Sequence, residues 1–242
     1  MINENNPTNG IMKTTMNRLP LYYNFIIEKQ RENVQNVSST LIAKSLKLNN
    51  IQVRKDLASI SSVPGKPRIG FDVKTILNDL EKVLGCKELD EVILVGVGRL
   101  GRTLLNYNGF NKYNLDVVAS FDIDKDKVGA VINGKPILGI ETIKSFVNEH
   151  DIRIGIIAVS GDAAQRVCDM LVDAGIKAIW NFAPVHLEVP DGIIIKHENL
   201  AASLALLIQR YEKSKSEASK KIHNSNNKPT LTDINQIESP YV

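Results

Sequence analysis

Residues Val95-Gly96-Val97-Gly98-Arg99-Leu100-Gly101 read VGVGRLG, and what flanks them decides the fold. Upstream, Glu91–Val95 is an apolar run of strand length; downstream, Leu100–Tyr107 has helical composition. In that setting Gly96 permits the tight turn, Gly98 lets backbone approach a pyrophosphate, and Gly101 allows close helix–strand packing. The next strand, Leu115–Asp122 (LDVVASFD), ends in a carboxylate 21 residues beyond Gly101. An acid there accepts ribose hydroxyls and repels a 2′-phosphate, so the expectation is NAD(H) over NADP(H), with Lys125 and Lys127 nearby as opposing charges. Candidate cofactor contacts are Gly96, Val97, Gly98, Arg99, Leu100, Gly101, Asp122 and Ile123.

Beyond Glu91, strand and helix patterns alternate. Strands are expected at IRIGIIAVS (152–160), AIWNF (178–182) and GIIIK (192–196), and helices at Glu141–Glu149 and Asp162–Ala174. Such alternation implies a parallel sheet with helices on both faces. VSGDAAQ (159–165) and NFAP (181–184) each follow a strand. Val159, Ser160, Asn181 and Phe182 are pocket candidates there, although ordinary strand-to-helix turns look the same.

The segment in front is helical. Leu19, Tyr22, Tyr23, Ile26 and Ile27 share one face. A second helix starts at VSSTLIAKSL, with Ser38 or Ser39 as N-cap and Leu41, Ile42 and Leu46 inward. Asn49-Asn50 breaks the chain, and IQVRKDLASI (51–60) follows with Val53, Leu57 and Ile60 on one stripe. The last two of three helices, joined by a tight turn, match a helix-turn-helix. SSVPGKPRIGFDV (61–73) cannot be helical and reads as a β wing, with Pro64-Gly65 turning a tip near Lys66, Pro67 and Arg68. VKTILNDLEKVLG (73–85) is amphipathic and ends at Gly85.

Charge separates the two parts. Residues 18–70 hold nine Lys/Arg against three acids, a net +6, whereas the whole chain is +3, so the rest sums to −3. A basic front half points to an anionic macromolecule. Gln52, Arg54 and Lys55 lie away from the apolar stripe, where Arg and Gln can read base edges in a major groove. Ser38 and Ser39 at a helix start and Lys44 suit phosphates, and Lys66 and Arg68 suit a neighbouring minor groove. A protein-binding adaptor of the same shape is the competing view.

No run of 18 apolar residues exists, no signal-like segment opens the chain, and Cys86 and Cys168 lack metal spacing, so a cytoplasmic protein is expected. No metal site and no catalytic residue is assigned. His150, His186, His197 and His223 have no evident partners, and Tyr211-x-x-x-Lys215 is a chance spacing. Little chain remains behind the sheet for a substrate domain, only the apolar helix NLAASLALLIQRY (199–211). This favours a DNA-binding protein that senses a dinucleotide over a small NAD-dependent oxidoreductase with a regulatory N-terminal domain.

The fold class is α/β: a leader at 1–15 expected to be disordered, a winged helix-turn-helix domain at 16–85 and a Rossmann-type domain at 86–197. A C-terminal helix at 198–211 and a disordered tail at 212–242 follow. The chain resembles the Rex family of redox-sensing repressors through RLPLYY (18–23), VSS (37–39), QVRKDL (52–57), VGVGRLG (95–101) and FDID (121–124). Further matches are AAQ (163–165), AGIKAIWNFAP (174–184) and VP (189–190). The resemblance implies a homodimer whose C-terminal helix swaps onto the partner. It also implies operator release on NADH binding, with NAD+ leaving double-stranded operator DNA bound. Tyr107 in NYNGF matches a family tyrosine near the nicotinamide and is a switch candidate. Two departures stand out: the wing lacks the family's Phe- and Gly-rich pattern, and a charged switch pair of some members is matched here by Asn24 and Asn199, which implies a neutral hydrogen bond.

Overall fold

The computed structural model describes residues 11–226. The chain divides after Lys196 into two units. The first opens on a single turn α1 (Lys13–Met16) and α2 (Leu19–Arg31), which carries proline in its first turn. After β1 (Asn36–Val37), α3 (Ser39–Leu46) starts at Ser38, whose hydroxyl accepts from Leu41 N at 3.1 Å. Lys47 closes α3 in the left-handed region, and Asn49 starts α4 (Asn50–Ile60) by accepting from Ile51 N and Gln52 N. Then β2 (Phe71–Asp72) pairs antiparallel with β1, and α5 (Val73–Leu84) ends on Gly85. Leu19, Tyr22 and Ile26 of α2, Ile42, Val53, Leu57, Ile76 and Leu80 form one fully buried core.

Three local readings change. Thr15 is buried, so the ordered chain begins before residue 16; residues 1–10 of the expected leader lie outside the described residues. Leu41 is exposed on α3, against expectation; Ile42 is buried as expected, and Ala43 turns inward beside it. The wing turns after Lys66 and not at Pro64-Gly65. Lys66 and Gly70 exchange backbone hydrogen bonds, and the chain reverses through Pro67-Arg68-Ile69 with Arg68 at φ +64°.

Next come β3 (Asp90–Val95), α6 (Arg99–Leu105), a 3₁₀ turn at Phe110–Tyr113 and β4 (Leu115–Asp122). A hairpin follows that the sequence reading leaves unassigned, β5 (Val131–Ile132) and β6 (Lys135–Gly139). Asn133 and Gly134, both at positive φ, form its turn. The remaining elements are α7 (Ile143–Glu149), β7 (Ile154–Ile157), α8 (Gly161–Ala174), β8 (Ala178–Asn181) and β9 (Ile194–His197). The sheet order is β5-β6-β4-β3-β7-β8-β9, parallel from β6 through β8, with β5 antiparallel at the edge. Alternate residues of β3 enter opposite cores: Ile93 and Val95 join Val167 and Leu171 of α8, while Val92 and Leu94 join Leu105 of α6. Strand order reverses between β3 and β7, which opens a crevice beyond their carboxyl ends.

The second unit is α9 (Leu200–Asn226). The sequence reading ends the helix at Tyr211 and expects a disordered tail from 212; the helix instead runs another four turns on Lys, Ser, Glu and Ala, adequate helix formers apart from serine. Residues 227–242 of that tail lie outside the described residues.

Candidate functional site

At the crevice, Gly96 adopts φ +101°, and a Cβ there would lie 2.7 Å from Ala158 O. At Gly101 a Cβ would lie 1.9 Å from Gly96 O, so helix and loop touch only because Gly101 has no side chain. Gly98 differs: nothing lies within 4 Å of a Cβ built on it, so its outer side is open to a ligand. Gly98 is also the N-cap of α6 and offers no side chain to the first-turn N–H groups, leaving them for an outside acceptor. These features fit the backbone approach of a pyrophosphate.

A cleft of about 250 Å³ extends from this loop, and its lining brings together Gly96, Gly98, Asp122, Ile123, Val159 and Ser160. Arg99 and Leu100 are exposed on the first turn of α6 beside it. Asp122 is buried at the end of β4. Its Oδ1 accepts from Asp124 N at 2.9 Å, and its Oδ2 accepts from Val97 N at 2.8 Å and Lys127 Nζ at 3.1 Å. Burial works against the charge, but these donors outweigh it, so the carboxyl is held below the usual aspartate range. A carboxylate offers about four acceptor positions, so three are already taken. One ribose hydroxyl fits as the structure stands; a second requires Lys127 to move toward Asp124, which it also contacts at 3.3 Å. The cleft also includes residues that were not among the expected contacts: Ile140, Ala158, Ala163, Arg166 and Val167. The last three share one face of α8 at helical spacing, the signal that would have found them.

The other pocket candidates lie elsewhere. Asn181 is fully buried and organises its own loop, donating to Val185 O at 3.0 Å and accepting from Ala183 N at 2.9 Å. It therefore shapes the NFAP turn from within. Phe182 is half-buried, 4.5 Å from the Trp180 ring. Tyr107 does not line the cleft; it is exposed past the end of α6, its ring edge-on to Phe110 at 5.1 Å.

In the N-terminal domain a concavity of about 750 Å³ lies between the start of α3, α4 and the wing. Ser38, Ser39, Arg54, Lys66 and Arg68 line it together, and Lys44 and Lys55 are exposed outside it on α3 and α4. Gln52 stands apart: its Nε2 donates to Asp56 Oδ1 at 2.8 Å. Asp56 is a buried hub that also accepts from Arg18 Nε at 2.7 Å, Tyr22 Oη at 2.7 Å and Thr15 Oγ1 at 3.0 Å. Burial opposes its charge, yet Arg18, Tyr22, Gln52 and Thr15 together bring its pKa down to about 2. Burial and Asp56 in turn push Tyr22 up to about 12.

The two asparagines of the expected switch have partners of their own. Asn24 Nδ2 donates to Tyr113 Oη at 2.9 Å, and Asn199 Oδ1 accepts from Ala202 N at 2.9 Å, capping α9. Among the described residues, no group of three His, Cys, Asp or Glu side chains is placed to hold a metal ion, and no helix is long and apolar enough to cross a membrane.

Two family models match the chain, a CoA binding domain over residues 87–185 and a putative DNA-binding protein N-terminus over residues 10–58. Among curated relatives, the redox-sensing transcriptional repressor Rex of Treponema denticola is 38% identical over 80% of this chain and 91% of its own. Rex of Lactobacillus acidophilus is 37% identical over 82% and 93%, and Rex of Bacteroides thetaiotaomicron 36% over 83% and 90%. A crystal structure of RSP in complex with β-NAD+ and operator DNA matches at a TM-score of 0.76, with 32% identity over 88% of this chain and 97% of that one. RSP in complex with β-NADH matches at 0.73, with 32% identity over 88% and 99%. With both domains matched in one continuous alignment, the chain belongs to the Rex family of redox-sensing transcriptional repressors.

Proposed function

We infer that this protein is a redox-sensing transcriptional repressor that binds operator DNA and is released when NADH occupies its glycine-loop cleft, NAD+ permitting DNA binding. The observation that carries this reading is the pairing, on one chain, of a dinucleotide cleft with a basic concavity between recognition helix and wing. Gly96, Gly98 and Gly101 would seat the pyrophosphate, Asp122 the adenosine ribose, and Ile123, Val159, Ser160 and Arg166 the surrounding walls. Bound nucleotide would supply only its redox state, as a signal. The relatives carry the name of repressors, so the oxidoreductase reading is not taken forward.

On the DNA side, Arg54 and Lys55 are assigned to the major groove, Ser38, Ser39 and Lys44 to phosphates, and Lys66 and Arg68 to the wing contact. Gln52 is oriented by Asp56 before any base is met. The working form is a cytoplasmic homodimer joined through exchange of α9, whose Leu200, Leu204, Leu207 and Tyr211 are all exposed. The test is fluorescence anisotropy of operator duplexes selected from random sequence. NADH should weaken binding by well over an order of magnitude while NAD+ leaves it intact, and equal affinity with both nucleotides would refute the sensor.

A further inference from the structure

The two ends of the wing are held by different means. The returning end is fixed by backbone. Gly70 adopts φ +95°, where a Cβ would lie 2.3 Å from Val37 O; Phe71 and Asp72 pair with Val37 and Asn36; and Val73 N donates to Gln35 O at 3.0 Å. The outgoing end, residues 61–65, has no such ladder. It carries proline at 64, and Lys66 is the first residue to pair across the wing, with Gly70. Nor is this limb packed down. A cavity of about 260 Å³ has Val63 and Pro64 of the limb and Thr75 and Ile76 of α5 in its lining, so limb and helix do not close on each other there. What reaches across is Asp79 of α5. Its Oδ2 accepts from Ser62 N at 2.8 Å and from Ser62 Oγ at 2.8 Å. Asp79 is only 3% exposed, and no Lys or Arg pairs with it among the described residues. A carboxylate taken out of water without a counter-ion weakens a core. An apolar side chain would suit the core better at this position; the carboxylate suits Ser62.

We propose that Asp79 is the positioning residue of the wing: through Ser62 it fixes the outgoing limb, so that Lys66 and Arg68 are ordered before the operator's minor groove meets them. The proposal rests on the repressor reading above. Ser62 lies two residues past Ile60, the last residue of α4, so the same pair of bonds sets the angle at which the wing leaves the recognition helix. With the limb held in advance, binding does not have to order it, and its contacts are made at lower entropic cost.

Asp79→Ala and Asp79→Asn in the full chain test this, without nucleotide, on operator duplexes selected from random sequence. Affinity is read by anisotropy and groove contacts by hydroxyl-radical footprinting. Asp79→Ala should bind about tenfold more weakly, what ordering one more residue at the moment of binding costs. It should also lose minor-groove protection beside each half-site while major-groove contacts persist. Asp79→Asn keeps one oxygen, and both Ser62 bonds fall on one oxygen, so it should stay within about threefold of the unsubstituted protein with its footprint intact. In a chain already carrying Lys66→Ala and Arg68→Ala, Asp79→Ala should cost nothing further. Unchanged affinity and footprint in Asp79→Ala, additive losses on that background, or an Asn variant as defective as Ala overturns the proposal. Should Asp79→Ala fail to fold, Ser62→Ala removes the hydroxyl bond and leaves the backbone one. It should lose about threefold in affinity together with the same minor-groove protection, and a normal footprint there overturns the proposal equally. An unsubstituted protein that binds no duplex at all overturns the repressor reading beneath it, a distinguishable result.

Discussion

Asp122 and Lys127 form a charged pair at the end of β4, the ammonium 3.1 Å from the carboxylate. The proposed function assigns a ribose hydroxyl to that carboxylate. Asp122→Ala should weaken NADH binding about tenfold or more, the range for a hydrogen bond to a charged group, and narrow the gap to NADPH. Lys127→Ala should do the reverse: with the nearby cation gone, a 2′-phosphate meets the unrelieved charge of Asp122. The preference for NADH over NADPH then widens by about fivefold, the size of an exposed-to-partly-buried ion pair. Calorimetric titration of both nucleotides into both variants reads the two effects separately; a Lys127→Ala protein that gains NADPH affinity contradicts the assignment.

Among the elements, α4 is held by a polar hub and not by its apolar stripe alone. Asp56 gathers Thr15 of α1, Arg18, Tyr22 of α2 and Gln52 of α4 itself. Its folded pKa of about 2 lies below the ordinary value of about 3.9, so its contribution is fully present above about pH 4 and is lost as pH falls through 2. The size is about 2 kcal/mol. Urea unfolding of wild type and Asp56→Asn across pH 2–6 should show a stability gap that closes only below about pH 4; a gap constant to pH 2 places the stabilisation elsewhere. The sequence made the α4 stripe legible because Val53 and Leu57 repeat at helical spacing. It hid Asp56, which looks like one more surface charge until Arg18, 38 residues away, folds against it. VGVGRLG and the acid ending β4 were legible for the opposite reason: their geometry is local. Arg166 and Tyr113 were not, because each acquires its surroundings from another element. The β5–β6 hairpin carried a local signal, Asn133-Gly134, between apolar residues too few to read as strands.

For the whole molecule, symmetry matters more than any one contact. A dimer reads two half-sites about one helical turn of DNA apart, so what joins the protomers sets the spacing of two copies of α4. If the protomers join through α9 as proposed, Leu204→Glu with Leu207→Glu should sediment as a monomer where the unsubstituted protein sediments as a dimer, and should lower operator affinity, because each monomer then holds one half-site. A double variant that sediments as a dimer would move the interface off α9. The hairpin at the edge of the sheet bears on the same question from another side. A full-length edge strand is a row of unpaired amides and carbonyls on which a second chain can be templated. Here the sheet ends in β5, two residues long, with Gly129 and Gly134 turning the backbone away on either side. So short a margin offers too few groups to propagate pairing, which discourages growth of one sheet into the next and leaves assembly at that boundary to side-chain packing, a closed and reversible kind of association.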